Sequence, residues 1–248
     1  MKIILSVLFL FLLLHTNAQL VENFSDGNLT ENPQWIGDTA FWKVNTDGQL
    51  QSNCAVVNQM YSLKTLINLS GPLTWTFDVS LSFNTSSANY VDVYLMATDT
   101  LFGNGYFIRI GNTDDEIALY RKTGSAIIKL IDGENGILNR SSSSLEISIS
   151  RTAQNEFILK RKLNGGAFVT EGSVTDNTIL NGNVFGFQIK QSTSSFFYKH
   201  YIDNVQIGSI VRDSIPPTID SVEVKDYNTL SVRFSEEVDS VSIGRAHV

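Results

Sequence analysis

Through most of this chain, apolar and polar residues alternate with a period of two. The pattern is clear in residues 73–79, 90–95, 106–110, 116–120, 145–149, 157–160, 184–189 and 201–207. The runs are rich in β-branched and aromatic residues, and clusters of Gly, Asn, Asp and Ser separate them. A strand shows this pattern when one face meets a core and the other meets water. The i, i+3, i+4 spacing of a helix is hard to find. Strands recurring every ten to fifteen residues or so, with a turn signal in each gap, predict an all-β, two-sheet antiparallel jelly-roll sandwich. Asp47-Gly48 and Asn164-Gly165-Gly166 carry residues that tolerate positive φ, and both predict hairpin tips. Alternation also assigns faces: Val91, Val93 and Leu95 share one side of their strand, and Tyr90, Asp92 and Tyr94 the other.

The two ends depart from this pattern. Lys2, the apolar run over residues 3–14 and the small residues before Gln19 form the three parts of a secretory signal. The run is shorter than the ~20 residues that cross a bilayer, so cleavage after Ala18 is expected and no span is expected in the mature chain. The expected location is secreted or at the cell surface. No cysteine follows the signal directly, which argues against a lipid anchor there. The first domain is expected over residues 19–208. Residues 209–217, with Pro216-Pro217, read as an extended linker. Residues 218–248 contain two alternating runs around Asp226-Tyr227-Asn228, and two strands do not make an independent sandwich.

Charge and rare residues narrow the chemistry. Lys and Arg number 18 against 25 Asp and Glu, a formal net charge of −7. That balance argues against nucleic acid or an anionic membrane as partner. The short clusters Arg121-Lys122 and Lys160-Arg161-Lys162 are expected to be solvated strand ends. The single cysteine, Cys54, precedes Ala55-Val56-Val57 and is expected as a small buried hydrophobe. Beyond the signal only His200 and His247 remain, which excludes Cys/His zinc sites and leaves His200 as the one plausible partner for a serine nucleophile.

Several phrases carry a family resemblance. Asn104-Gly105-Tyr106-Phe107-Ile108-Arg109-Ile110-Gly111, Asp115-Glu116-Ile117-Ala118-Leu119-Tyr120-Arg121 and Tyr201-Ile202-Asp203-Asn204-Val205-Gln206-Ile207-Gly208 resemble the concanavalin A-like lectin/glucanase jelly rolls of secreted Bacteroidetes-type proteins. The opening Glu22-Asn23-Phe24-Ser25-Asp26-Gly27, with Trp35 and Trp42, fits as well. The resemblance covers most of the chain and rests on strands, not on site residues. Pro216-Pro217-Thr218-Ile219 and the two runs after it resemble the start of a bacterial Ig-like domain. Such domains occur in multidomain surface proteins, often with a lamin-tail-like domain. The expected whole is a concanavalin A-like sandwich followed by a truncated Ig-like hairpin.

The resemblance implies candidate sites. Glucanases of this fold use a Glu-x-Asp-x-Glu strand, which puts three acids on one face. This sequence has none; in Asp114-Asp115-Glu116 the acids are consecutive, and alternation turns them to opposite faces. Asp99, Asn112, Asp114, Asp115 and Glu116 supply hard oxygen donors for a calcium ion of the kind jelly-roll lectins carry on a rim loop. Sugar binding, the family's common non-catalytic role, points to Tyr90, Asp92 and Tyr94 on a concave sheet, joined by Arg109, Tyr120, Gln188 and His200 if their strands are neighbours. Trp35, Trp42 and Trp75 are expected in packing roles. The expected function is a non-catalytic extracellular module binding a polysaccharide or cell-surface glycan, or mediating adhesion. The alternative is an accessory module of a secreted hydrolase.

Overall fold

The computed structural model describes residues 18–209, 218–227 and 229–234. Residues 1–17 of the expected secretory signal, the expected linker at Pro216-Pro217 and the residues after 234 lie outside the described residues. Strands are numbered in chain order. One antiparallel sheet of eight runs β13 (Phe168–Thr175), β12 (Glu156–Leu163), β11 (Ser143–Arg151), β6 (Leu73–Leu81), β15 (His200–Gly208), β4 (Leu50–Ser52) and β3 (Trp42–Val44). In it β1 (Ala18–Glu22) also pairs with β15. The second sheet runs β10 (Ala126–Ile131), β9 (Glu116–Thr123), β8 (Asn104–Gly111), β7 (Tyr90–Ala97), β14 (Asn181–Gln191), β5 (Gln59–Ser70) and β2 (Ile36–Gly37). The all-β, two-sheet sandwich expected from alternation is the observed architecture.

Alternation explains the core. Trp75, Phe77 and Val79 on β6 and Ile147 and Ile149 on β11 belong to one buried cluster with Val91, Val93, Ile108, Ile110, Phe185 and Phe187 of the other sheet. Each such side chain contributes about 1.5–3 kcal/mol on full burial. Trp35, Trp42 and Trp75 are all in this cluster. The Glu22 carboxylate accepts from the Phe24 amide at 2.7 Å and from Trp35 Nε1 at 3.1 Å, so the opening phrase ties β1 to the core. Cys54 is buried, and burial pushes its thiol pKa up to about 12, which leaves it unreactive. Both expected hairpin tips form: Gly48 has φ +77, and Asn164 and Gly165 have φ 50 and 75.

β5 is not among the alternating runs, because a register shift between its pairs with Gly182 and Val184 changes which face its residues take. One expectation is corrected. The Lys160-Arg161-Lys162 cluster is not uniformly solvated: alternation leaves Lys160 exposed and buries Arg161, which pairs with Glu171 and Glu134. The chain divides into two compact units, one ending at residue 210 and the other starting at 211. In the second, β16 (Ile219–Asp226) pairs with β17 (Thr229–Phe234), and every residue of β16 is exposed.

Candidate functional site

The sandwich core takes one set of alternating residues from the seven-stranded sheet; the other set forms its outer face. Strand register sorts that face into rungs. Ser62, Gln188, Asp92, Arg109 and Ala118 lie side by side on β5, β14, β7, β8 and β9. The next rung holds Lys64, Gly186, Tyr94, Phe107, Tyr120 and Lys129. On the other side, Lys190 neighbours Tyr90, which neighbours Gly111 and then Glu116. Six of the seven residues expected to bind sugar, Tyr90, Asp92, Tyr94, Arg109, Tyr120 and Gln188, therefore share one face.

Arg109 is its centre. Nε and Nη2 donate to the two carboxylate oxygens of Asp92, both at 2.7 Å, the two-point geometry in which guanidinium and carboxylate match best. The guanidinium carbon lies 4.3 Å from the ring centre of Tyr90, 5.3 Å from Phe107 and 5.4 Å from Tyr120, within cation–π range. Asp92 is 2% exposed in its side chain and Arg109 14%. Burial pushes the Asp92 carboxyl up, against the pull of Arg109. Burial would lower the Arg109 pKa, but Asp92 outweighs it and the net direction is up. Nη1 has no hydrogen-bond partner among the described residues. Burial also raises the phenols of Tyr90, Tyr94 and Tyr120, so all three hydroxyls stay protonated.

The aromatic rung is capped. Tyr94 stacks on Phe107 at 4.9 Å and Phe107 on Tyr120 at 5.3 Å. Phe102, from the β7–β8 loop, lies flat on Tyr94 at 3.9 Å. The loop is held by the Asp99 carboxylate, which accepts from the Leu101 and Gly103 amides at 2.8 and 3.1 Å. Lys64 Nζ donates to the Thr100 carbonyl at 2.7 Å and sits 5.1 Å from the Phe102 ring centre. Tyr94 therefore has its ring covered, Tyr90 is buried beneath the Arg109 guanidinium, and the more open part of the face is Ser62, Gln188, Arg109 and Lys190, all half-buried. Phe102 was not legible, since a loop residue carries no period. Phe107 and Lys190 follow from the same alternation that gave Arg109 and Gln188.

Two sets of expected residues are placed differently. His200 lies at the start of β15 in the other sheet. It is fully buried, packed edge-on against Phe83 at 4.8 Å, with Nδ1 3.1 Å from Ser52 Oγ. Burial lowers its pKa to about 3, so it is a neutral core residue. The five calcium candidates do not form one cluster. Asp99 is at one end of β8 and Asn112, Asp114, Asp115 and Glu116 at the other, eight residues or roughly 26 Å apart at the rise of a strand. At the second end an ammonium already serves as cation: Lys129 Nζ is 2.5 Å from Glu116, 2.5 Å from Asp132 and 3.4 Å from Asp114. Asp115 accepts from Thr85 Oγ1 at 2.5 Å. Among the described residues no group of three His, Cys, Asp or Glu is placed to hold a metal ion. No helix among them is long and apolar enough to cross a membrane.

No protein-family model and no curated protein matches the sequence. Solved structures do match the fold. A carbohydrate-binding module, CBM66 from Bacillus subtilis, is 14% identical with a TM-score of 0.51, and the match covers 71% of this chain and 95% of that one. The exoplasmic/lumenal domain of VIP36, in a form bound to Ca2+ and Man3GlcNAc, is 10% identical with a TM-score of 0.52, covering 82% and 92%. Xylan beta-1,4-xylosidase from Bacillus halodurans C-125 is 9% identical with a TM-score of 0.56, covering 76% of this chain but 39% of that one. At these identities the likeness is one of fold, and the fold is lectin-like.

Proposed function

We propose that residues 19–208 form a non-catalytic glycan-binding module of a secreted or cell-surface protein, and that the ligand lies on the outer face of the seven-stranded sheet. The observation that carries this reading is the convergence there of Arg109, Gln188 and Lys190 around buried aromatic rings, with a guanidinium nitrogen that has no hydrogen-bond partner among the described residues. Rigid rings give a sugar an apolar surface, and fixed donors orient its oxygens. The fold likeness to a carbohydrate-binding module and to a mannose-oligosaccharide-bound domain supports the same reading.

A hydrolytic role is not favoured. Glycosidases need two carboxyl groups free to act across a glycosidic bond. Asp92 and Glu116, the acids of this face, are committed to Arg109 and Lys129. The alternative, an accessory module of a secreted hydrolase, has its own support: the likeness to the xylosidase falls on 39% of that enzyme. With Lys129 bridging the acids near the β8–β9 turn, binding is expected to survive a chelator. The test is a glycan array with the purified chain beside Gln188→Trp, which puts an indole at a half-buried position of the face. Loss of binding with an unchanged melting temperature is expected. Undiminished binding by the folded variant would move the site elsewhere.

A further inference from the structure

We infer that the glycan taken by this face is acidic, with a carboxylate or sulfate oxygen accepting from Arg109 Nη1 and with Lys190 flanking it across Tyr90. This rests on the reading of the outer face as the glycan site and names the ligand class for it.

The argument is an inventory of what the face has left to offer. Two carboxylates of the face are matched by cations, Asp92 by Arg109 and Glu116 by Lys129, while Asp38 at the β5 edge accepts from the Ser62 amide and hydroxyl and Asp99 from the loop amides. Lys64 is spent on the Thr100 carbonyl. The donors left without a protein partner include cations: Nη1 of Arg109, and Lys190 and Lys122, neither of which has an ion pair among the described residues. Guanidinium and ammonium groups donate hydrogen bonds and accept none. A neutral sugar presents hydroxyls, which are donors as much as acceptors, and would leave its own donors poorly matched here. Carboxylates and sulfates are acceptors only, and charge-assisted bonds to them are the strong ones.

One further feature agrees. The Arg109 plane is fixed by Asp92 on one edge and by rings around it, so little freedom is lost when an anion docks. At physiological salt charges are screened beyond about 8 Å, so the formal net charge of −7 acts on a bound ligand only through the groups near it.

The experiment is calorimetry with the full chain. The probes are oligogalacturonate and its methyl ester, a chondroitin sulfate oligosaccharide and its desulfated form, neutral xylo- and manno-oligosaccharides, and polyglutamate. The expected result is binding of at least one acidic oligosaccharide, weakened roughly tenfold by neutralising the group that Arg109 holds and weakened by added salt. Whether the methyl ester or the desulfated probe loses more tells carboxylate from sulfate. Lys190→Gln should lower the acidic affinity several-fold with an unchanged melting temperature. The double variant Asp92→Asn/Arg109→Leu removes both charges together, leaves no lone buried ion, and should abolish binding while folded. Neutral oligosaccharides binding as well as acidic ones would overturn this inference and leave the glycan face standing. Polyglutamate binding as tightly as the glycans would overturn it as a matter of class. No binding by any oligosaccharide would overturn both readings.

Discussion

On β6 the residues alternate between buried and half-exposed from Leu73 to Leu81, whereas on β7 all eight residues from Tyr90 to Ala97 are buried. The two strands read alike in sequence, and each contributes to the core through every second side chain. The difference lies on their outer faces. The eight-stranded sheet shows small and acidic groups there, and its central rung runs Asp203, Asp78, Glu146, Lys162. The seven-stranded sheet shows long, flat side chains that cover one another, roofed at one end by Phe102. A strand's second face is thus wet or dry according to what its neighbours lay over it. Where that face is most buried, charge is held in matched form, as with Asp92 and Arg109.

The largest expected contrast is between ion pairs. Arg109→Met leaves the Asp92 carboxylate buried and alone, and should cost about 3–5 kcal/mol in urea denaturation. Lys162→Met breaks the half-exposed pair with Glu146 on the other face and should cost under about 1 kcal/mol. Equal costs would dissolve the distinction between the faces.

Acid provides a second contrast, seated in the eight-stranded sheet. His200 has its pKa lowered to about 3 by burial, and the unfolded chain restores it to about 6.5. The folded form refuses a proton that the unfolded form accepts. Stability from this group is therefore complete above pH 6.5 or so and falls as pH drops towards the folded value, by up to about 1.4 kcal/mol per unit. His200→Leu should flatten that limb of a stability–pH profile. An identical slope in the variant would assign the acid sensitivity to another group.

The smallest effect concerns the acidic rung. Asp78 faces Asp203 and Glu146 directly across two strand pairs, an arrangement that destabilises a sheet. Its carboxyl pKa is raised by burial first and by Glu146 as well, against the hydrogen bond from Asn204. Asp78→Asn keeps an acceptor for Asn204 and should gain a few tenths of a kcal/mol at neutral pH. Because the folded pKa lies above the unfolded one, the unmodified protein gains this back as pH falls through it. The variant's advantage should therefore shrink on acidification.

Alternation alone located much of the site. It put Tyr90, Asp92 and Tyr94 on one side of β7, and the same rule carried Arg109, Tyr120 and Gln188 to that side of their strands. It could not say which strands are neighbours. β15 follows β14 in sequence but lies in the other sheet, and His200 went with it. Nor could it show what covers a residue. Tyr94 has the pattern of a solvent-facing aromatic and is capped by Phe102, from a loop without periodicity. Nor could it place Lys129 beside Glu116, Asp132 and Asp114, since β10 is an edge strand with mostly exposed residues and gives a weak alternating signal.

The placement of β15 has a consequence for how the molecule is made. This strand, ending at Gly208, sits between β6 and β4 and also receives β1. As the chain leaves the ribosome, β1 and β6 have no partner on that side until the last strand of the sandwich emerges. β5 likewise waits for β14, more than a hundred residues later. Closing such distant pairs makes folding slow and leaves strand edges bare in the interval. The sandwich therefore completes only after residue 208 is available, and until then the edges of β1, β5 and β6 stay open to other chains.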